Sequence, residues 1–247
     1  MRIGDNVETL EIAMDFLGTS GGMINPVVLW NEKEGATLID TGLPGQLPAF
    51  EEKLGVLGLN LKSLRRIFLT HQDLDHIGSA ASLVKETGAE VYAHAADVPF
   101  IQGELPLLKL DVKRLESRIA ALPAERRAQA LKLLASPPKV KVDHALNGGE
   151  ELPFHGGVTV IPTPGHSPGH VCFYLKAQKI LFAGDALRVE NGSLIGPSPM
   201  ATPDMRRAVA SLRNLLPYRI DAILCYHGGL TRNDIAARLQ ALTRIST

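Results

Sequence analysis

Cysteine, tryptophan and net charge are all scarce in this sequence. Two of the 247 residues are Cys and one is Trp, while 26 basic residues balance 26 acidic ones. A chain without net charge gives no reason to expect nucleic acid or an anionic membrane surface as its partner. No apolar run approaches the roughly 18 residues that span a bilayer, and no apolar export signal opens the chain. We therefore expect a cytoplasmic protein with a small-molecule partner, and its oligomeric state stays open.

The composition is that of an ordinary globular protein, with 45% apolar and 21% charged residues. Its length allows one large domain or two small ones, and we expect a single domain over residues 1–247. Cys172 and Cys225 both lie in apolar segments that are typical of strands. Buried free thiols are therefore expected, with no disulfide and no metal-binding role. The first forty residues alternate as strands do, and the predicted strands are Val7–Met14, Met23–Trp30 and Ala36–Ile39.

A helical pattern interrupts the strands between residues 97 and 138. Apolar residues recur at helical spacing from Leu108 to Leu122, Pro123 breaks the period, and Ala124 resumes it. This pattern predicts a helical insert at 97–138, after which a strand pattern returns at Lys139–Val142. Two roles for the insert stay open, because it could cover a sheet edge or wall a substrate pocket. The apolar residues available for such a wall are Phe100, Ile101, Leu105 and Leu107.

The densest cluster of chemically versatile side chains lies between Thr70 and His76, where the sequence is Thr-His-Gln-Asp-Leu-Asp-His. It follows the apolar run Arg66–Leu69, which predicts a strand, and it precedes a helix-forming segment. An N-cap role for Asp75 would leave the neighbouring His and Asp residues unexplained. Four potential metal ligands in six residues cannot share one face of a regular element, so a loop at a strand end is expected to converge them. These four residues are His71, Asp73, Asp75 and His76.

Three more potential ligands follow predicted strands later in the chain. His166 lies in the run Thr-Pro-Gly-His-Ser-Pro-Gly-His that ends at His170, Asp185 follows Ala183-Gly184, and His227 follows the strand that begins at Ala222. Seven nitrogen and oxygen donors are too many for one tetrahedral ion and suit two ions that share a carboxylate. The remaining histidines lack such a pattern and are expected to be ordinary polar residues: His94, His144 and His155.

These motifs together resemble those of the metallo-β-lactamase superfamily over nearly the whole chain. The segment Leu38–Gly42 also resembles the opening Asp motif of that family. The resemblance implies an α/β fold, an αβ/βα four-layer sandwich with helices outside two facing sheets and a metal site at one edge. It also implies two divalent metal ions, with Zn²⁺ as the first expectation and Mn²⁺ or Fe²⁺ as alternatives.

The resemblance also assigns roles to individual residues. His71, Asp73 and His166 would hold one ion. Asp75, His76 and His227 would hold the other, Asp185 would bridge the two, and Asp40 and His170 would support the ligands. Asp75 and Asp185 are the expected catalytic residues, because Asp75, or else a bound water, could serve the leaving group and Asp185 would link both ions.

Asp73 departs from the usual loop of the superfamily, Thr-His-x-His-x-Asp-His, in which His takes this position. Flavodiiron proteins resemble this chain in having an acid there, and they reduce oxygen species. A di-iron-type oxidoreductase is therefore one alternative, and a non-catalytic metal-binding effector is another. Since no flavin-binding domain follows His227 in the sequence, we expect a metal-dependent hydrolase. In it, a metal-bridging hydroxide would attack the carbonyl of a lactone, ester or thioester.

Overall fold

The computed structural model describes residues 1–16, 19–110 and 112–244. The strands, in chain order, are β1 (Arg2–Gly4), β2 (Val7–Thr9), β3 (Ile12–Phe16), β4 (Thr19–Ile24), β5 (Val27–Asn31), β6 (Gly35–Ile39), β7 (Leu64–Phe68), β8 (Glu90–His94), β9 (His144–Leu146), β10 (Glu151–Leu152), β11 (Val158–Pro162), β12 (Val171–Leu175), β13 (Ile180–Phe182), β14 (Arg188–Glu190), β15 (Ser193–Ile195), β16 (Ala222–Cys225) and β17 (Gly229–Thr231). The helices are α1 (Leu47–Val56), α2 (Leu74–Ile77), α3 (Ala80–Thr87), α4 (Val98–Ile101), α5 (Val112–Ala120), α6 (Ala124–Ala135), α7 (Met205–Ser211) and α8 (Ile235–Arg244), with 3₁₀ turns at Leu61–Ser63 and Leu212–Leu215.

Two larger sheets organise the described part of the chain. The first has the strand order β1-β2-β5-β6-β7-β8-β9, and the second has the order β10-β11-β12-β13-β16-β17. Strands β6 to β9 run parallel to one another, as do β13 and β16. Parallel strands end at the same edge of a sheet, so the loops that follow β6 and β7, and those that follow β13 and β16, converge.

Alternating side chains on the strands produce the layers. On β7, Ile67 packs with the helices outside the first sheet, while Phe68 faces the second sheet. On β16, Leu224 faces the first sheet and Ile223 packs outward against residues that include Leu239 of α8. Because successive side chains of a strand point to opposite faces, each sheet buries both of its faces. The order is helix, sheet, sheet, helix, and the expected four-layer sandwich is confirmed.

The first two predicted strands each divide in the structure. Val7–Met14 is split between β2 and β3, and Met23–Trp30 is split between β4 and β5. The chain leaves the first sheet after β2, forms the separate β3–β4 ribbon, and returns at β5. The Leu10 N–H donates to the Pro26 carbonyl at 2.8 Å, which closes this excursion at its base.

The prediction of a strand at Lys139–Val142 is wrong, because the structure has no strand there. The Val140 N–H donates to the Ile101 carbonyl at 3.0 Å, and the Val142 N–H donates to Gln102 Oε1 at 3.0 Å. These donors are therefore used by the segment around α4 instead of by a neighbouring strand. The sheet resumes only at His144, where β9 begins.

The segment 97–138 contains the helices α4, α5 and α6 among its described residues. Ile101 and Leu107 are buried in the cluster that covers the first sheet. Phe100, Leu105 and Leu107 also line a groove of about 560 Å³, whose other side is formed by the end of α6. The segment thus covers the first sheet, whereas its role as the wall of a substrate pocket stays a prediction, because none of the predicted ligands lines this groove.

Two simpler expectations concern membranes and thiols. None of the helices in the described ranges is both long and apolar enough to cross a membrane. Cys172 and Cys225 are buried free thiols, as predicted. Burial raises the pKa of the Cys172 thiol to about 12, which leaves it protonated and unreactive.

Candidate metal centre

All seven predicted ligands meet at one edge of the sandwich. β7 ends at Phe68, and the following loop and α2 carry the first four ligands. The later three ligands follow β11, β13 and β16, whose ends meet the same edge from the second sheet. The structure groups the potential donors into two sets, one formed by His71, Asp73, His166 and Asp185, the other by Asp75, His76 and His227.

The first set is compact and almost fully buried. The four donor atoms lie within 4.8 Å of one another. His166 Nε2 is 3.0 Å from Asp73 Oδ2, and His71 Nε2 is 3.2 Å from the same oxygen. The side chains of His71 and His166 are at most 1% exposed, so their nitrogens are directed into the protein and away from solvent.

The second set lies nearer to the surface. His227 Nε2 is 3.2 Å from Asp75 Oδ2, and His76 Nε2 is 3.8 Å from that oxygen. The side chains of Asp75 and His227 are 22% and 26% exposed, whereas that of His76 is buried. A substrate would therefore reach this set more easily than the first.

Asp185 lies between the two sets and offers one oxygen to each. Its Oδ2 is 3.3 Å from His166 Nε2 in the first set. Its Oδ1 is 3.4 Å from His76 Nε2 and 3.5 Å from His227 Nε2 in the second. A carboxylate with its two oxygens divided in this way has the arrangement that a bridging ligand needs.

Buried polar atoms that lack a hydrogen-bond partner indicate whether these residues suit metal ions. Within the described ranges, His71 Nε2, His76 Nε2 and Asp185 Oδ1 are buried without a hydrogen-bond partner. Leaving a buried polar atom unpaired costs about 1–3 kcal/mol, and here three such atoms border the same space. Imidazole and carboxylate donors are the ligands that Zn²⁺, Mn²⁺ and Fe²⁺ accept. The residues therefore fit divalent metal ions.

Asp40 orients one of the imidazoles. Its carboxylate accepts from the Thr70 N–H at 2.9 Å and from the Thr70 hydroxyl at 2.8 Å, and it lies 2.8 Å from His76 Nδ1. The backbone of Asp40 has a positive φ of 60°, a conformation that costs energy in a residue other than Gly and is maintained here by these contacts. Engaging Nδ1 leaves Nε2 of His76 free to bind a metal.

His170 supports Asp185 in a similar way. Its Nδ1 is 2.8 Å from the Thr163 hydroxyl, and its Nε2 accepts from the Asp185 N–H at 3.0 Å. Gly184 makes this contact possible, because its φ is 49° and a Cβ there would lie 2.8 Å from His170 Nε2. The two histidines of this loop thus have different positions: His166 belongs to the first set of donors, whereas His170 lies behind Asp185.

Electrostatics at the centre favour a cation. Burial, with the nearby His76, lowers the pKa of His71 to about 4, so its imidazole is neutral and able to bind metal. Burial also opposes protonation of His76, but the carboxylates of Asp40, Asp75 and Asp185 outweigh it and raise that pKa well above its usual range. The negative potential that would hold a proton there would equally hold a divalent ion.

Sequence reasoning missed two residues at this centre. Lys109 Nζ lies 2.5 Å from Asp73 Oδ2 and 2.5 Å from His166 Nε2. Asp97 is fully buried and accepts from the Gln72 N–H, the Ser167 hydroxyl and the Gly169 N–H. Asp97 follows β8 by three residues, so the strand-end rule that located the ligands could have found it. Only its position as the single charge in the apolar run Leu105–Leu110 marks Lys109.

The remaining histidines lie outside both sets, as expected. His94, His144 and His155 belong to neither group of donors among the described residues. His155 instead lies 2.8 Å from the Thr37 hydroxyl and 3.2 Å from Asn31 Nδ2, on two strands of the first sheet.

Comparison with known proteins agrees with this geometry. The model of the metallo-beta-lactamase superfamily matches residues 19–227. The probable metallo-hydrolase YflN of Bacillus subtilis is 27% identical over 82% of this chain and 78% of its own length. The hydroxyacylglutathione hydrolase GloC of Haemophilus influenzae is 29% identical over 84% of this chain and 86% of its own.

Solved structures show the same fold. A metallo-beta-lactamase family protein from Thermus thermophilus superposes with a TM-score of 0.71 at 24% identity, over 96% of this chain and 78% of its own. The BLEG-1 B3 metallo-beta-lactamase has a TM-score of 0.62 at 26% identity, over 90% of this chain and 92% of its own. The chain therefore belongs to the metallo-beta-lactamase superfamily and is a metal-binding hydrolase.

Proposed function

We propose that this hydrolase holds two divalent metal ions and cleaves a small carbonyl substrate, a lactone, ester or thioester. The observation that carries the proposal is Asp185, whose two carboxylate oxygens face different donor sets. His71, Asp73 and His166 would complete one ion's ligands, and Asp75, His76 and His227 the other's. Zn²⁺ is the first choice because both sets combine two imidazoles with carboxylates, and imidazole suits Zn²⁺.

When bound, the two ions would lower the pKa of coordinated water and polarise the scissile carbonyl. The protein's own residues keep these groups in place. Asp40 and His170 fix the orientation of His76 and the position of Asp185, so that little reorganisation is needed during the reaction. The first set is the more deeply buried of the two, so the outer set is the more open to substrate.

Asp75 is placed to handle the proton of the attacking water. Its carboxylate is partly exposed, and its Oδ2 lies 3.2 Å from His227 Nε2. Burial would raise the pKa of Asp75, but the charges of His76 and His227 and a hydrogen bond from His227 outweigh it and lower that pKa. Asp75 is therefore ionised at neutral pH, able to accept a proton and pass it to the leaving group.

The relative named hydroxyacylglutathione hydrolase supports including a thioester among the substrates. A thioester has a better leaving group than an ester, and both are attacked at a carbonyl carbon. The same active-site geometry therefore serves lactones, esters and thioesters, and the side chains around the site would select among them.

A substrate panel tests the proposal. The protein is prepared with Zn²⁺, Mn²⁺ or Fe²⁺, and each form is assayed with a lactone, an ester and an acylglutathione thioester. We expect at least one class to be hydrolysed, with turnover lost on chelation and restored by the metal. His71→Ala should abolish turnover, whereas His144→Ala, which changes an exposed histidine outside the centre, should keep it. Metal binding without hydrolysis of any compound would favour the effector alternative.

A further inference from the structure

Lys109 is the one positively charged side chain, among the described residues, that the structure inserts between two predicted ligands. Its ammonium contacts Asp73 Oδ2 and His166 Nε2, both at 2.5 Å. The side chain is 21% exposed, so it reaches the centre from the protein surface. Neither metal binding nor the proposed hydrolysis gives this lysine a role.

The backbone that carries Lys109 is tied to the ligand loop. The neighbouring Leu108 N–H donates to Gln72 Oε1 at 2.9 Å, and Gln72 lies between the ligands His71 and Asp73. Leu107 is buried in the cluster beneath the first sheet, and the Leu110 N–H donates to the Leu107 carbonyl at 3.2 Å. The Cα of Lys109 is thus fixed within one side-chain length of the centre.

The positive charge of Lys109 lies against the negative charge of the Asp73 carboxylate. That carboxylate brings a negative charge to the first set of donors, beside that of Asp185. The charges of Asp73 and Lys109 therefore offset each other, and the centre keeps the positive character that an anionic substrate would need.

A metal ion on Asp73 and His166 would repel the ammonium, because the two are like charges at close range. The lysine stem is flexible and its ammonium readily hydrated, so it would turn outward. Since its Cα is fixed, the ammonium would stay beside the metal centre.

We propose that Lys109 is a specificity-determining residue that binds a carboxylate on the substrate next to the reacting carbonyl. This inference rests on the proposed function, since it names the substrate class of the same centre. The preferred substrates would be lactones, esters or thioesters whose acyl part carries a free carboxylate. A carboxylate and an ammonium form a charge-assisted hydrogen bond, which is stronger than a neutral one.

The test compares two ligands that are not hydrolysed, succinate and butyrate, which match in carbon number and differ by one carboxylate. Their binding to the zinc-loaded protein is measured by calorimetry at low ionic strength. We expect succinate to bind about tenfold more tightly than butyrate. The difference should fall below about twofold in Lys109→Met and largely persist in Lys109→Arg, which retains the charge. Lys141→Met is the control, because it removes an exposed lysine that pairs with Asp143 away from the centre, and it should keep the difference.

Three results would overturn the proposal: equal binding of the two ligands by the unchanged protein, an undiminished difference in Lys109→Met, or loss of zinc from that variant. Zinc loss would count against it because removing a competing cation cannot weaken metal binding unless Lys109 has a purely structural role. The measurement needs no turnover. A protein that distinguishes succinate through Lys109 but hydrolyses nothing would refute the proposed reaction, while the binding of a carboxylate by Lys109 would stand.

Discussion

Asp73 is the position at which the ligand loop of this chain departs from the usual loop of the superfamily, Thr-His-x-His-x-Asp-His. Its Oδ2 contacts His71, His166 and Lys109, so one oxygen joins two imidazoles and an ammonium. Burial would favour the neutral acid, but the electrostatic interactions with His71, His166 and the Lys109 ammonium outweigh it and hold the pKa of Asp73 well below its usual range. The side chain is therefore an ionised carboxylate, able to bind a metal ion.

Exchanging this carboxylate for imidazole should change metal preference. Carboxylate oxygen suits Mn²⁺ and imidazole suits Zn²⁺, so we expect Asp73→His to raise the ratio of Zn²⁺ to Mn²⁺ affinity about tenfold, which is about 1.4 kcal/mol. Competition binding against a metal-sensitive dye measures the ratio. Asp73→Asn is the control, since it removes the charge without adding an imidazole, and it should weaken both ions. An unchanged ratio in Asp73→His would mean that Asp73 does not bind metal.

At the scale of elements, Asp97 joins three segments of the centre. It stands at the start of α4 and accepts from the ligand loop at the Gln72 N–H (3.1 Å) and from the His166 loop at the Ser167 hydroxyl (2.6 Å) and the Gly169 N–H (2.7 Å). Burial raises the pKa of this carboxyl, although the same hydrogen bonds oppose the rise. The carboxylate thus fixes the distance between two loops that carry ligands to the same set.

Asp97→Asn should therefore affect both stability and metal binding. An amide of the same size has to direct its NH₂ group at one of the three donors, which leaves that donor unpaired. We expect a loss of about 1–3 kcal/mol in the free energy of unfolding and zinc affinity about tenfold weaker. Urea unfolding and zinc competition measure the two effects. Asp143→Asn is the matched control, because its carboxylate also accepts a backbone N–H, that of Val91, but away from the centre. Equal zinc affinity in both variants would refute this role of Asp97.

Elements whose ends carry ligands were the easiest to predict. Four polar donors directly after the apolar run Arg66–Leu69 leave few arrangements other than a strand followed by a loop. Boundaries were harder where tertiary hydrogen bonds decide them. Lys139–Val142 has the composition of a strand, yet its N–H groups find acceptors near α4. Nothing in local sequence could indicate which partner these donors would take.

For the whole molecule, the four-layer order follows from strands that are apolar on both faces, such as β16, whose residues are all buried. Contacts between distant positions were less accessible to sequence reasoning. Lys109 and Asp73 are separated by 36 residues, and no spacing rule connects a lysine in an apolar loop to a strand end. The candidate ligands could be located in the sequence because each one follows the end of a strand, whereas the position of Lys109 depends on how the inserted segment folds back.

The account as a whole depends on two ions per chain with Asp185 between them. Elemental analysis of the purified protein at saturating Zn²⁺ measures the number of ions per chain most directly. The same analysis is made on variants in which one ligand of each set, or Asp185, is replaced. We predict two zinc ions per chain for the unchanged protein, about one for His166→Ala and for His227→Ala, and weaker retention of both ions in Asp185→Asn. A single ion in the unchanged protein, or an Asp185→Asn variant that retains two ions as firmly, would contradict the shared-carboxylate centre.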